Sequence, residues 1–131
     1  MTQPLAALLR AIDPILHEGV YVFAIASGNG ALLVEPLATF LEEEGLTVIV
    51  EESCAEEAGL TPLFRSEWIT LTVHSDLEAV GLTAAVSAAL AEAGIACNVV
   101  AAARHDHLFV PHGSGNRALR VLSELQQSSR R

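Results

Sequence analysis

The sequence predicts a fold of mixed strands and helices built from two related units, and three observations carry that prediction. Residues 68–125 read in order as an apolar strand, a polar turn with a glycine, a helix ended by a second glycine, two more strands and an amphipathic tail. Residues 46–60, L-T-V-I-V-E-E-S-C-A-E-E-A-G-L, repeat the strand–turn–helix pattern of residues 108–122, L-F-V-P-H-G-S-G-N-R-A-L-R-V-L. Hydrophobic residues make up 51% of the 131, with a mean hydropathy of +0.42, yet no apolar run reaches the roughly 18 residues needed to span a bilayer. The apolar excess therefore belongs in buried strands and at a subunit interface.

The elements follow in order. Leu5, Leu8, Leu9 and Ile12 recur at helical spacing, so Pro4 to Ile12 is a short amphipathic helix, ended by Asp13-Pro14. V-Y-V-F-A-I-A at 20–26 is a buried strand, and Ser27-Gly28-Asn29-Gly30 a loop. Leu37 to Glu44 fits either one face of a helix, through Leu37, Phe40 and Leu41, or a short strand running into a turn. Leu46 to Val50 is a strand, after which Ser53 caps a short helix that stops at Gly59, and Thr61-Pro62 links to the second half.

W-I-T-L-T-V at 68–73 alternates as a strand does. Val80 to Ala93 is a helix with Val80, Ala84, Val86, Leu90 and Ala93 among its apolar positions and Gly94 as its stop. Ile95–Ala101 and Leu108–Val110 are strands, the latter ended by Pro111. Ser114 to Leu125 is the last helix, with Ala118, Leu119, Leu122 and Leu125 inward, and residues 126–131 fray. No strand follows that helix, so the halves, or a partner chain, complete one another's sheets.

Composition excludes several functions. The net charge is −9, with no Lys and seven scattered Arg, which argues against a nucleic-acid partner. M-T-Q-P-L-A-A-L-L-R has no basic segment ahead of its apolar stretch, so it is a poor export signal, and the expected location is the cytoplasm. Cys54 and Cys97 are then reduced, small apolar side chains. No G-x-S-x-G, P-loop or dinucleotide pattern is present, no nucleophile–base pair stands out, and no cofactor is implied.

The turn His74-Ser75-Asp76-Leu77-Glu78-Ala79-Val80-Gly81 joins a buried strand to a helix, the place where open sheets bind small molecules and where free N–H groups favour a carboxylate. Gly81 would let the backbone approach a ligand or a neighbouring strand. The plainer alternative is capping by Ser75 or Asp76, with Gly81 only turning the chain. In His105-Asp106-His107 the period of two sets both histidines on one face and Asp106 on the other. With His74 and His112 they sketch a metal site, but no metal-ligand spacing supports it, and the expected metal is none. Asp106 alone on its face would suit an amine or guanidinium. Asn98, inside an apolar strand, requires a hydrogen-bond partner, either a neighbouring loop or a ligand. Glu42-Glu43-Glu44 is a solvated turn.

At Val80-Gly81-Leu82, Leu90, Gly94-Ile95 and Asn98 the sequence resembles the ACT-domain family. The run 68–75 with 78–86 and His105-Asp106-His107-Leu108 looks like the short stand-alone tandem ACT proteins of bacteria. Tyr21-Val22-Phe23, Phe40 and Glu44-Gly45-Leu46-Thr47 fit a degenerate first unit. The resemblance implies an α+β, ferredoxin-like βαββαβ fold, with a degenerate unit at 1–62 and a second at 63–131 packed side by side. It implies a non-catalytic regulatory protein, a homodimer, that binds an amino acid or similar metabolite, with neither nucleic acid nor membrane as partner. By position the site carries onto His74, Ser75, Asp76 and Gly81. Asn98 lies near the family's Asn position, which Ala96 holds here. The chain is also similar to the ACT regions of aspartate kinases and of the cytosolic arginine sensor, in which an Asp matched by Asp106 meets the ligand's cation. Two other readings stand beside this one: a ligand-free module that docks a protein through an exposed apolar sheet edge or its helices, and a small metal-dependent enzyme using His105, His107 and His112.

Overall fold

A computed structural model describes residues 3–26 and 35–130; the loop expected at 27–30 lies outside them. The elements run α1 (Leu5–Arg10), β1 (Pro14–Leu16), β2 (Tyr21–Ala26), β3 (Ala38–Glu42), β4 (Gly45–Glu51), α2 (Glu52–Ala58), β5 (Phe64–Leu71), α3 (Leu82–Glu92), β6 (Asn98–Ala101), β7 (Asp106–Pro111) and α4 (Gly115–Ser128). The class is α+β with antiparallel pairing, as two ferredoxin-like units require. Segment 37–44, open between helix and strand in the sequence, forms strand β3 over Ala38–Glu42 and then a turn at Glu43-Glu44.

Packing groups the chain differently from the chain-order halves 1–62 and 63–131. One compact unit is 1–17 with 67–131, and the other is 18–66. The larger unit lacks a strand after α4, and the N-terminal segment takes that role: β1 pairs antiparallel with β5, Pro14 opposite Leu71 and Leu16 opposite Ile69. On one face of this sheet Ile69, Leu71, Leu108 and Val110 meet Leu8 and Ile12 from α1 and its C-terminal flank, Val86 and Leu90 of α3, and Leu122 of α4. These side chains are at most 2% exposed and form the unit's dry core. In α3 the buried positions Leu82, Val86 and Leu90 recur every four residues.

The opposite face of the same strands is aromatic and polar. His17 stacks on Trp68 with centroids 3.5 Å apart, and Trp68 Nε1 donates to His107 Nδ1 at 3.1 Å. Thr70 Oγ1 lies 2.8 Å from His17 Nε2 and 3.0 Å from His107 Nδ1. An indole N–H is only a donor, so His107 Nδ1 must carry a lone pair. Burial lowers the pKa of both histidines, which matches neutral rings.

Several sequence expectations are corrected here. Residue 126 does not fray: Gln126 is buried inside α4, donates from Nε2 to the Arg10 carbonyl (2.8 Å) and to Asp13 Oδ1 (2.6 Å), and accepts from Asp13 N. Asp13 has φ +36°, a left-handed conformation that Asp tolerates, and Thr72 Oγ1 donates to its carbonyl. Helix α3 begins at Leu82 rather than Val80, which is 87% exposed, because Gly81 sits at φ +102° as the N-cap. Ser53 does not cap α2, whose N-cap residue is Glu51 and makes no side-chain cap bond; Gly59 does end that helix, at φ +69°. Residues 95–97 are not strand; Ile95 is a buried plug bonded back to the Leu90 carbonyl. Strand β5 begins at Phe64, four residues before Trp68.

Helix α4 is capped from outside itself. Glu67 Oε2 accepts from Gly113 N (2.8 Å) and Gly115 N (2.7 Å), satisfying donors that the helix cannot satisfy internally. A Cβ at Gly115 would lie 2.8 Å from the Glu67 carboxyl carbon, so a larger residue there would push that carboxylate off the helix end.

In the smaller unit β3, β4 and β2 pair in that order, and the first residues of β5 add to β2, Phe64 opposite Phe23 and Ser66 opposite Tyr21. Helix α2 covers one face through Ala55 against Val22, Ala24, Val48 and Val50. Arg65 donates to the Glu52 carboxylate through Nε and Nη2.

Candidate functional site

The chain leaving β5 carries Val73 inward, then turns outward at His74 through a segment closed by Ala79 N donating to the Asp76 carbonyl (3.0 Å). Gly81 then reverses direction, and α3 begins with no acidic residue in its first turn and no side-chain cap. The φ of Gly81 calls for glycine, and a Cβ there would also crowd the Leu5 side chain at 3.1 Å. Across from this turn the β6–β7 hairpin closes through Ala102 N to the His105 carbonyl (3.0 Å), and Ser75 N donates to the Arg104 carbonyl (3.2 Å). The two backbone bends thereby face each other.

Between them lies a niche of about 50 Å³, lined by Ser75, Asp76, Leu77 and Ala79 of the turn, Leu82 and Thr83 of α3, Ala101 and Ala102 of the hairpin, and Asp106 at the start of β7. Asp106 is 7% exposed, and Ser75 Oγ donates to its Oδ2 at 3.4 Å. Burial raises its pKa; the Ser75 hydroxyl and the neighbouring His107 and His105 pull the other way. The niche thus offers a desolvated carboxyl on one wall and the start of a helix on another. That pairing suits a positive group on the first and a negative one near the second.

Of the six residues singled out from sequence, the structure gathers Ser75, Asp76 and Asp106 around this niche. His74 is exposed, its ring 4.9 Å from that of His105, and does not line it. Gly81 shapes the turn without lining the cavity. Asn98 is exposed at the opposite end of β6, across from Phe109, so the buried amide expected there is corrected. A period of two across 105–107 fails because β7 begins only at Asp106: the His105 ring lies beside the Val73 carbonyl and His74, whereas His107 joins Trp68 and Thr70. No group of three or more His, Cys, Asp or Glu among the described residues is placed to hold a metal ion. Cys97 is half-buried and its thiol is pushed up to about 11, too high for a thiolate nucleophile at neutral pH. The lining residues outside the polar turn that were missed from sequence are Leu82 and Thr83, in the first turn of α3 just after Gly81, and Ala101 and Ala102, whose only signal was the hairpin joining two predicted strands.

Family models for the ACT domain match the chain twice, over residues 2–67 and 63–124. A Vibrio cholerae protein of unknown function, described as a possible transport protein, is 47% identical over 93% of this chain and 95% of its own, with a TM-score of 0.84. The ligand-free regulatory subunit of aspartate kinase from Thermus thermophilus is 13% identical over 88% of this chain and 97% of its own, with a TM-score of 0.64. A protein from Agrobacterium tumefaciens is 16% identical, covering 86% and 87%, with a TM-score of 0.61. No curated protein matches. No helix among the described residues is long and apolar enough to cross a membrane.

Proposed function

Since the chain belongs to the ACT-domain family, whose domains are regulatory rather than catalytic, we propose that it is a non-catalytic regulatory protein whose ligand is an amino acid with a cationic end. The observation that carries this reading is Asp106, a carboxyl held out of water at the wall of a cavity, with the Ser75 hydroxyl beside it. An ammonium or guanidinium group there would gain a charge-assisted hydrogen bond and bring the Asp106 pKa back down. The ligand's carboxylate would turn toward the first turn of α3 beside the Thr83 hydroxyl, on the side away from Asp76.

A cavity of about 50 Å³ has room for a few water-sized groups. It would seat one end of an amino acid, leaving the rest to be covered from outside. That supports a homodimer in which a second copy closes the site, and ligand binding would act by favouring one assembly state. On this reading the ACT units are residues 1–62 and 63–131 in chain order. The protein works in the cytoplasm, with Cys54 and Cys97 as free thiols, and needs neither cofactor nor metal.

The test is a thermal-shift screen against the twenty amino acids at millimolar concentration, on the protein and on Asp106→Asn. A rise in melting temperature for Lys, Arg or another cationic amino acid, lost in the variant, supports the proposal. A flat profile across all twenty sinks it.

A further inference from the structure

The chain's charge is unevenly distributed. Of its 16 acidic residues, nine fall between Glu18 and Ser66, where Arg65 is the one basic residue, so the smaller unit carries −8 of the −9. Nine carboxylates against one guanidinium leave −8, and the other seven acidic residues against six arginines leave −1.

The same unit bears an uncovered apolar strand. β3 ends the strand order among the described residues, paired to β4 on one side. Phe40 stands opposite Thr47, which stands opposite Ile25, so these three form one row across the face that α2 does not cover. Phe40 is 71% exposed, and Leu41, pointing to the other face, 79%. The strand thus presents a large apolar side chain on both faces at once. Within 38–42 it has no proline and no basic residue, and its one charge, Glu42, stands at the end of the strand. Its end runs into Glu42-Glu43-Glu44.

From this edge and this charge we infer that the smaller unit takes an extended, basic segment of a partner protein as an added strand beside β3. Such a strand would satisfy backbone groups along the edge. Its alternate side chains would cover Phe40 on one face and Leu41 on the other, and its lysines or arginines would meet the Glu42–Glu44 run. A second copy of the same unit is a poor occupant, because it sets −8 against −8. An anionic membrane surface fails for the same reason. The inference stands on residues 18–66 alone and is independent of the ligand niche.

The experiment measures binding of a labelled nine-residue valine–lysine peptide, five central valines between two lysines at each end so that valine faces both sides of the strand, beside its valine–glutamate counterpart and a glycine–lysine peptide of equal charge. The valine–lysine peptide is expected to bind saturably, at least about tenfold tighter than either control, with affinity falling as salt rises and with slowed hydrogen exchange at β3 amides. Phe40→Ser combined with Leu41→Ser is expected to weaken it about tenfold with the melting temperature unchanged. Absence of saturable binding overturns the inference. So does glycine–lysine binding as tight as valine–lysine, which would mean charge alone, and so does full retention of binding in the double variant. A concentration-dependent dimer that the double variant abolishes would assign the edge to a second copy instead.

Discussion

The two compact units share antiparallel sheets with helices on one face, yet they differ in what they bury and expose. The larger encloses a dry core between its sheet and three helices, holds a buried carboxyl at the wall of a niche, and is nearly neutral. The smaller has one short helix, leaves β3 exposed on both sides, and carries most of the chain's charge. A fold of this size can be specified by one well-packed unit. The other is then free to hold apolar surface and repelling charge that would cost stability in a core.

Core truncation is the sharpest way to break that comparison. Leu90→Ala or Leu122→Ala, both fully buried in the larger unit, is expected to cost about 2–5 kcal/mol in chemical denaturation. Phe40→Ser, at a surface strand, is expected to stay within about 0.5 kcal/mol. Equal costs would mean that the smaller unit's apolar face is structural. Next in size is the cap of α4. Glu67→Ala removes the acceptor for two backbone donors and is expected to cost about 1–2 kcal/mol, read by the same denaturation. Gly115→Ala is expected to cost a similar amount by displacing the same carboxylate.

How much of this was legible follows from what each residue answers to. Strands β2 and β4 and helix α4 were readable because their apolar periodicity is set by a core face that each can bury alone. Val80 was misread because its apolar character fits the α3 pattern, while the left-handed Gly81 separates it from Leu82, where the helix begins. Gln126 looked like a fraying tail because its partners, Arg10 and Asp13, lie more than a hundred residues away. Asn98 was misplaced by assuming that a whole apolar run from Ile95 forms strand, when Ile95 instead plugs the end of α3. In the candidate site the polar turn could be found locally. The hairpin wall, Ala101 and Ala102, could not, since its place depends on tertiary closure.

Smaller effects sharpen the comparison through pH. His17 and His107 have lowered pKa values in the fold, so the unfolded chain binds protons first, near 6.5. Stability is expected to be full above that value and to fall as pH drops below it toward the folded pKa values, measured as melting temperature between pH 7.5 and 5; His107→Ala should flatten this slope. Asp106 acts with the opposite sign. Its folded pKa is raised, so its ionised form is a cost at neutral pH that disappears as pH falls through the folded value. Asp106→Asn is therefore expected to leave the melting temperature at pH 7 unchanged or higher while removing any stabilisation by a cationic amino acid. A melting temperature lowered by several degrees would instead make the carboxylate a structural acceptor.

The tie between Gln126 and Asp13 also bears on how the chain is made. It joins the segment that follows α1 to the final helix, although residues 18–66 lie between the two in sequence. During synthesis the early helix lacks its full set of partners until β5, α3 and α4 have all left the ribosome, while residues 18–66 can pair among themselves before then. A nascent chain stalled near residue 100 should therefore resist protease within 18–66 and be cut readily within the first seventeen residues.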